Sequence, residues 1–225
     1  MKGRQSKKER GAGTRRKRLL REWFSLQSRS FPWRFYTSAW TVLLAEMLLL
    51  RTRADVVARF IPAIVERFPT STAMAEASKQ DVEDSLRPLG LRWRARRLHD
   101  MAQVIVASYG GVVPKAYDDL ISLPGVGPYV ASATHSALTG SGVLLTDANT
   151  VRVAKRVAGL DLEGDVRRTK KIQAAIALLI GGPSILVDWL AVVDLAATVC
   201  VARNPRCEIC PIRSLCAYGH RTRVA

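Results

Sequence analysis

Along most of this chain the apolar residues recur at intervals of three and four rather than two, the spacing of helices. The clearest stretch is Trp40-Thr41-Val42-Leu43-Leu44-Ala45-Glu46-Met47-Leu48-Leu49-Leu50. It is apolar nearly all round, which predicts a buried helix, capped by Ser38 and running to about Arg51. A basic amphipathic segment at 18–26 precedes it and is broken by Phe31-Pro32-Trp33. Further helices are expected at 54–68, with Pro62 as a kink or break, at 72–77 and at 79–86. Gly90 then separates these from a helix at 93–109, which Gly110-Gly111 ends. Beyond it lie a helix at 116–123, a glycine turn at 124–127 and a helix at 128–138. After the loop Gly140-Ser141-Gly142, helices are expected at 148–158, 166–180 and 183–199. No pair of alternating runs joined by a hairpin turn stands out, so the pattern predicts an all-α architecture with short connections.

At 225 residues and 48% apolar content, the chain has room for one substantial core or two small lobes. Such a composition excludes a disordered chain, and no run reaches the roughly 18 apolar residues of a membrane span. Charge adds the next constraint. Lys and Arg number 35 against 19 Asp and Glu, a formal +16, which points to a polyanionic partner, most simply nucleic acid. Half of that excess sits in residues 2–18, where Lys2, Arg4, Lys7, Lys8, Arg10, Arg15, Arg16, Lys17 and Arg18 face the single acid Glu9. Residues 1–17 lack the apolar core of a signal peptide and read as a disordered basic arm, free to touch phosphates or simply solvated.

Two local patterns carry chemistry. Leu123-Pro124-Gly125-Val126-Gly127-Pro128-Tyr129 places two glycines one residue apart just before a helix. Glycines allow left-handed turns and close backbone approach, and the N–H groups opening the next helix favour an anion, so such a turn can hold a DNA phosphate. Taken alone the pattern is more often just a tight turn. The second is Cys200-x6-Cys207-x2-Cys210-x5-Cys216, which holds all four cysteines of the chain. Close spacing without a secretion signal points to metal ligation, by zinc or by an iron–sulfur cluster, rather than to disulfides. A single C-x-x-C knuckle with unequal flanking loops favours iron–sulfur. Arg203, Arg206 and Arg213 would then offset the thiolates and face a phosphate.

The glycine turn, Asp147 lying 18 residues after Tyr129 in Thr146-Asp147-Ala148-Asn149-Thr150-Val151-Arg152-Val153, and the cysteine array together resemble the helix-hairpin-helix DNA glycosylases of the endonuclease III superfamily. The resemblance runs from about Leu20 to Cys216 and implies a two-lobed all-α fold with a C-terminal [4Fe-4S] loop. In that superfamily the residue two after the second glycine is a lysine in endonuclease III relatives and a serine in adenine glycosylases. Here it is Tyr129, as in the thymine–guanine mismatch glycosylases, which remove thymine or uracil opposite guanine. Ala45-Glu46-Met47-Leu48-Leu49-Leu50-Arg51-Thr52 resembles the segment whose glutamate touches the flipped base in those enzymes. The Gln-Gln pair found there in adenine glycosylases is absent, and the chain is shorter than theirs. The position of Pro128, basic in relatives, departs from the pattern; Arg92, Arg94, Arg96 and Arg97 are candidates to replace its phosphate contact.

Elementary chemistry agrees. Breaking an N-glycosidic bond builds positive charge on the sugar, so a carboxylate beside it stabilises the transition state and orients water. Asp147 is the candidate, although an Asp at that position is also an ordinary helix N-cap. Glu46, set among leucines, suits hydrogen bonding to a base or, alternatively, an ion pair with Arg51 or Arg53. Tyr129 either packs or lines the lesion pocket; a phenol forms no Schiff base, which implies a monofunctional enzyme.

The resemblance further implies lobes of 38–141 and of 18–37 with 142–225, and a cleft holding Glu46, Tyr129 and Asp147. It implies DNA contacts from Gly125, Val126, Gly127, Leu50, Arg51 and Arg152, with the Leu50-Arg51 region filling the gap left by the flipped nucleotide. The ligands of the [4Fe-4S] cluster would be Cys200, Cys207, Cys210 and Cys216. The expected partner is double-stranded DNA bearing a mismatched or damaged base, met by a monomer away from any membrane, in the cytoplasm at the nucleoid or in a nucleus. The alternatives are an adenine or oxidised-base glycosylase of the same fold, and a non-catalytic, metal-stapled DNA-binding module.

Overall fold

The computed structural model of the chain describes residues 2–90, 92–164, 166–167 and 169–221; the side chains of residues 2–10 and of Arg92, part of the basic clusters noted above, lie outside the described set. Among the described residues the chain forms α1 (Lys2–Gln27), α2 (Ala39–Leu49), α3 (Ala54–Arg67), α4 (Ser71–Glu76), α5 (Lys79–Leu86) and α6 (Arg92–Tyr109). These are followed by α7 (Tyr117–Ser122), α8 (Pro128–Thr139), α9 (Ala148–Ala158), α10 (Lys170–Leu179), α11 (Leu186–Thr198) and α12 (Ala217–Arg221). No strand forms among them; an isolated antiparallel bridge pairs Val143 with Ser184 through bonds of 3.0 and 3.1 Å. The all-α expectation holds. Within it α3 runs through Pro62 without ending; α10 starts at Lys170, where Thr169 caps it by accepting from the Ile172 N–H, and α11 starts at Leu186, both later than expected.

The chain divides into two compact units, Ser30–Thr139 and Met1–Arg29 with Gly140–Ala225. Residues 30–37, assigned from sequence to the second lobe, thus fall with the first unit. That unit is built around α2, whose Trp40, Leu43, Leu44, Ala45, Met47 and Leu48 are all buried, in keeping with its apolar circumference. It packs on α3 and α8, and α6 packs on α4 and α5. Trp40 buries its indole while donating Nε1–H to the Phe68 carbonyl at 2.9 Å, which satisfies its one polar atom.

The other unit packs α9 against α10, α11 and α12, with α1 laid along α10 and α11. Here the structure corrects the expectation of a disordered arm: residues 2–17 continue as helix into α1. Its docking is specific. A Cβ on Gly13 would lie 2.5 Å from the Gly181 nitrogen, so the two backbones touch. Arg16, only 7% exposed, donates to the carbonyls of Leu178 and Leu179 at 2.8 Å each and to that of Leu215 at 3.3 Å. The first two are orphan carbonyls at the end of α10, where a cation also meets the negative end of the helix dipole. Further along, Arg21 pairs with buried Asp188 and Arg29 with buried Asp194, joining α1 and its extension to α11. A charge run that reads as solvated therefore hides a set of inward anchors.

Candidate active site and metal centre

Asp147 begins α9 in extended conformation and caps it. The Thr150 N–H donates to Asp147 Oδ1 at 2.7 Å, and the Asp147 N–H donates to Thr150 Oγ1 at 2.9 Å, a reciprocal capping box. The second oxygen, Oδ2, accepts from Asn149 Nδ2 at 3.0 Å. Asn149 Oδ1 in turn accepts from Arg152 Nη2 at 3.2 Å. The carboxylate is therefore held by both oxygens yet stays half-exposed. Capping does not preclude chemistry, because the donors that fix the orientation of this carboxylate are neutral groups.

Arg152, expected from sequence to contact DNA, bonds within the protein through Nε and Nη2. Its Nε donates to the Cys200 carbonyl at 3.0 Å and its Nη2 to the Ala196 carbonyl at 2.9 Å. Burial lowers its pKa from the ordinary arginine value. These bonds tie α9 to the end of α11 and, through Asn149, connect Asp147 with the first cysteine.

Glu46 and Tyr129 both belong to the Ser30–Thr139 unit, on the packed helices α2 and α8. Each is half-buried, Glu46 between buried Ala45 and Met47, and Tyr129 against the core at the second position of α8. The turn before α8 explains one glycine fully. Gly125 has φ +79°, and a Cβ there would come 3.1 Å from Arg97 Cδ and 3.2 Å from Met47 Cε. Both the backbone angle and the space demand glycine. Gly127 differs, since a Cβ there would meet nothing within 4 Å. Its side of the turn is open, as a backbone that receives a phosphate must be. Val126 buries its side chain and so offers a ligand only main-chain groups.

Leu50 is the residue after α2, and Arg51 follows in the left-handed region at φ +56°. For a residue other than glycine this costs about 1–2 kcal/mol. Arg94, suggested above as a phosphate contact, is instead 1% exposed and donates Nη1 to the Leu48 carbonyl at 2.7 Å. Its Nη2 donates to the Leu50 carbonyl and, at 2.9 Å, to Thr52 Oγ1. Of the same cluster, Arg96 pairs with Glu83 at 3.1 Å and Arg97 lies 5.2 Å over the Trp93 ring.

The four cysteines form no disulfide and line one pocket together with Arg156, Val199, Pro205, Arg206, Arg213, Tyr218 and Gly219. Two short 3-10 turns, Cys207–Ile209 and Arg213–Leu215, bring the later three cysteines round to Cys200 at the end of α11. A shared space walled by all four thiols fits a metal group held by four thiolates. Burial pushes the Cys210 thiol up to about 12 and raises that of Cys216, so thiolate ligation here depends on the charge of bound metal.

Sequence reading missed Arg156. Its Nη1 lies 3.2 Å from Cys200 Sγ and donates to the Val201 carbonyl at 2.7 Å, while Nη2 donates to the Ala202 carbonyl at 2.9 Å. The guanidinium also stacks 5.1 Å over the Tyr218 ring. The available signal was its spacing of four from Arg152, which puts both arginines on one face of α9. Arg203 and Arg206 in the loop between the first two cysteines are exposed, as expected.

Residues 44–178 match the family of HhH-GPD superfamily base excision DNA repair proteins, and residues 200–216 match the iron-sulfur binding domain of endonuclease III. The thymine-DNA glycosylase of Aeropyrum pernix is 35% identical over 208 residues, covering 90% of this chain and 93% of that protein. The adenine DNA glycosylase of Mycolicibacterium smegmatis is 36% identical over 194 residues, covering 86% of this chain and 66% of that protein. The solved structure of a thermostable thymine-DNA glycosylase superposes at a TM-score of 0.83 with 28% identity, covering 96% of this chain and 99% of that one. An all-helical fold with a glycine hairpin and a four-cysteine loop defines the class, that of the iron–sulfur helix-hairpin-helix repair proteins. The chain belongs to the HhH-GPD superfamily and is a base-excision DNA N-glycosylase, with Cys200, Cys207, Cys210 and Cys216 as the ligands of a [4Fe-4S] cluster. Among the described residues no helix is long and apolar enough to cross a membrane.

Proposed function

We propose that this glycosylase hydrolyses the N-glycosidic bond of thymine or uracil mispaired with guanine and leaves the abasic site uncut. The observation that carries the reading is Tyr129, at the second position of α8 directly after the glycine hairpin. An amine there would form a Schiff base with the sugar and open a route to strand cleavage; a phenol has no nitrogen to do so. Likeness to a thymine-DNA glycosylase over nine-tenths of the chain supports the same substrate.

In this scheme the duplex backbone meets the N–H groups of Gly125 and Gly127 and the open end of α8, the Val126 N–H being held by the Leu123 carbonyl. The target nucleotide turns out of the stack, which is easier for a mismatch than for a true pair. Leu50 and Arg51 take its place in the duplex. Glu46 and Tyr129 hold the base by hydrogen bonding and stacking. Asp147, oriented by Thr150 and Asn149, stabilises the positive sugar as the bond breaks and directs water to it. The cluster, when bound, supplies iron–thiolate bonds that staple the loop carrying Arg203 and Arg206. The enzyme acts as a monomer on chromosomal DNA.

A second reading, adenine removal, has in its favour the 36% identity to a mycobacterial adenine glycosylase. Chromatography of the base released from T·G, U·G and A·G duplexes separates the two, and borohydride added during turnover tests the monofunctional claim. Thymine and uracil release without a trapped protein–DNA adduct is the expected result. Release of adenine alone, or an adduct, overturns the respective part.

A further inference from the structure

Two unfavourable features meet at the end of α2. Arg51, exposed, holds a left-handed backbone at φ +56° although it is not glycine. Against the same turn, Arg94 buries a cation whose donors go to two carbonyls and a hydroxyl, with Nε left without a partner. No carboxylate among the described residues forms an ion pair with it. A buried charge is unfavourable unless paired, and the carbonyl end of a helix substitutes only in part. A glycine at the Arg51 position would take the same backbone angle without that strain. Strain and buried charge that persist together mark a turn whose shape is itself required.

The same stretch of α6 reaches the hairpin as well. Three residues after Arg94, Arg97 brings its Cδ and Cβ to 3.1 and 3.3 Å from the Cβ position of Gly125. One helical turn thus braces both the Leu50-Arg51 corner and the glycine turn, setting their spacing.

We propose that Arg94 is a positioning residue that holds Leu50 and Arg51 in the shape that fills the duplex when a nucleotide is flipped. The inference rests on the reading of Leu50-Arg51 as the gap-filling corner. Arg94 touches neither base nor sugar; it acts by fixing the carbonyls of Leu48 and Leu50 and the hydroxyl of Thr52.

The test uses the iron-replete full chain and a T·G duplex with 2-aminopurine beside the thymine, whose fluorescence rises on unstacking. Binding to an undamaged duplex, melting temperature and single-turnover base release are recorded alongside. Arg94→Met should keep undamaged-duplex binding but lose between about tenfold and a hundredfold of the flipping equilibrium and of base release, the scale of a misplaced group. Arg94→Lys, which retains a donor, should recover part of it. Thr52→Val, a gentler change in case Arg94→Met folds poorly, should show a smaller loss in the same direction. Arg51→Gly should melt no lower than wild type, because its backbone strain is relieved, and still flip poorly. A purely structural role would not separate melting from flipping in this way.

If wild type gives no fluorescence rise, the flipping account and this proposal fall together. If wild type flips and Arg51→Gly flips equally well, the corner is not the gap filler. If Arg51→Gly fails but Arg94→Met and Thr52→Val match wild type, only the role of Arg94 is overturned.

Discussion

Replacing Gly13 with alanine should destabilise the protein, whereas the same replacement at Gly11, two residues earlier in the same helix, should stabilise it. The Gly13 methyl would sit 2.5 Å from Gly181 N, 2.6 Å from Leu178 O and 2.7 Å from Gly181 Cα, all of them backbone atoms. Carbon contacts need about 3.5–4.0 Å, so α1 has to lift by roughly 1 Å. That movement stretches the 2.8 Å bonds from Arg16 to Leu178 and Leu179 beyond hydrogen-bonding distance. Overpacking costs about 1–3 kcal/mol, and losing bonds to a charged group costs about 1.5–3 kcal/mol. Alanine returns about 1 kcal/mol in helix propensity, leaving a net loss of about 2–4 kcal/mol. At Gly11 a methyl meets nothing within 4 Å. There only the propensity gain of about 0.5–1 kcal/mol remains. Thermal unfolding of the iron-replete protein, followed by circular dichroism at one scan rate, reads this directly. For a chain of this size each kcal/mol moves the midpoint by about 2–4 °C. Gly13→Ala should fall by about 5–15 °C and Gly11→Ala rise by about 1–4 °C. A Gly13→Ala protein that melts at or above wild type would mean that the basic segment is not docked, and would refute the reasoning.

Asp147→Asn keeps an acceptor for the Thr150 N–H but turns the oxygen that accepts from Asn149 Nδ2 into a donor, so stability should fall by only about 1 kcal/mol while base release falls by about a hundredfold or more; thermal melting and single-turnover kinetics check the two. Arg156→Gln removes the cation beside Cys200 Sγ and the clamp on residues 200–202, and should speed cluster loss to a chelator, read by visible absorption and iron content. Arg29→Met removes the side-chain ion pair to wholly buried Asp194 while keeping the Arg29 N–H bond to it, and should lower stability in denaturant unfolding by about 1.5–3 kcal/mol, with the cluster still present in the native protein.

Much of the fold was legible because burial shapes whole segments. The unbroken apolar circumference of α2 could only belong to the centre of a core, and Gly125 announced a turn. The metal site was legible too, since cysteine spacing is set by the ligand rather than by distant packing. Charged residues were read least well. Arg16, Arg94 and Arg152 all read from sequence as solvent- or phosphate-facing, and all three turn inward to carbonyls at helix ends. Composition counts cations; it says nothing of which orphan carbonyl each finds after folding. Gly13 is the same lesson in backbone form. Its need arises from Gly181, 168 positions away, so no local pattern marks it. Asp147 was recognised by its distance from the hairpin, but its hold through Asn149 on Arg152 and the cysteine loop emerged only from the structure.

The most direct test of the account is single-turnover incubation with labelled duplexes bearing T·G, U·G, A·G, A opposite 8-oxoguanine, and thymine glycol, each reaction divided and half of it heated in alkali. The account predicts strand breaks at T·G and U·G, and only in the heated halves. Breaks without alkali would reveal a lyase nucleophile that Tyr129 cannot supply, and activity confined to adenine or oxidised bases would contradict the proposed substrate.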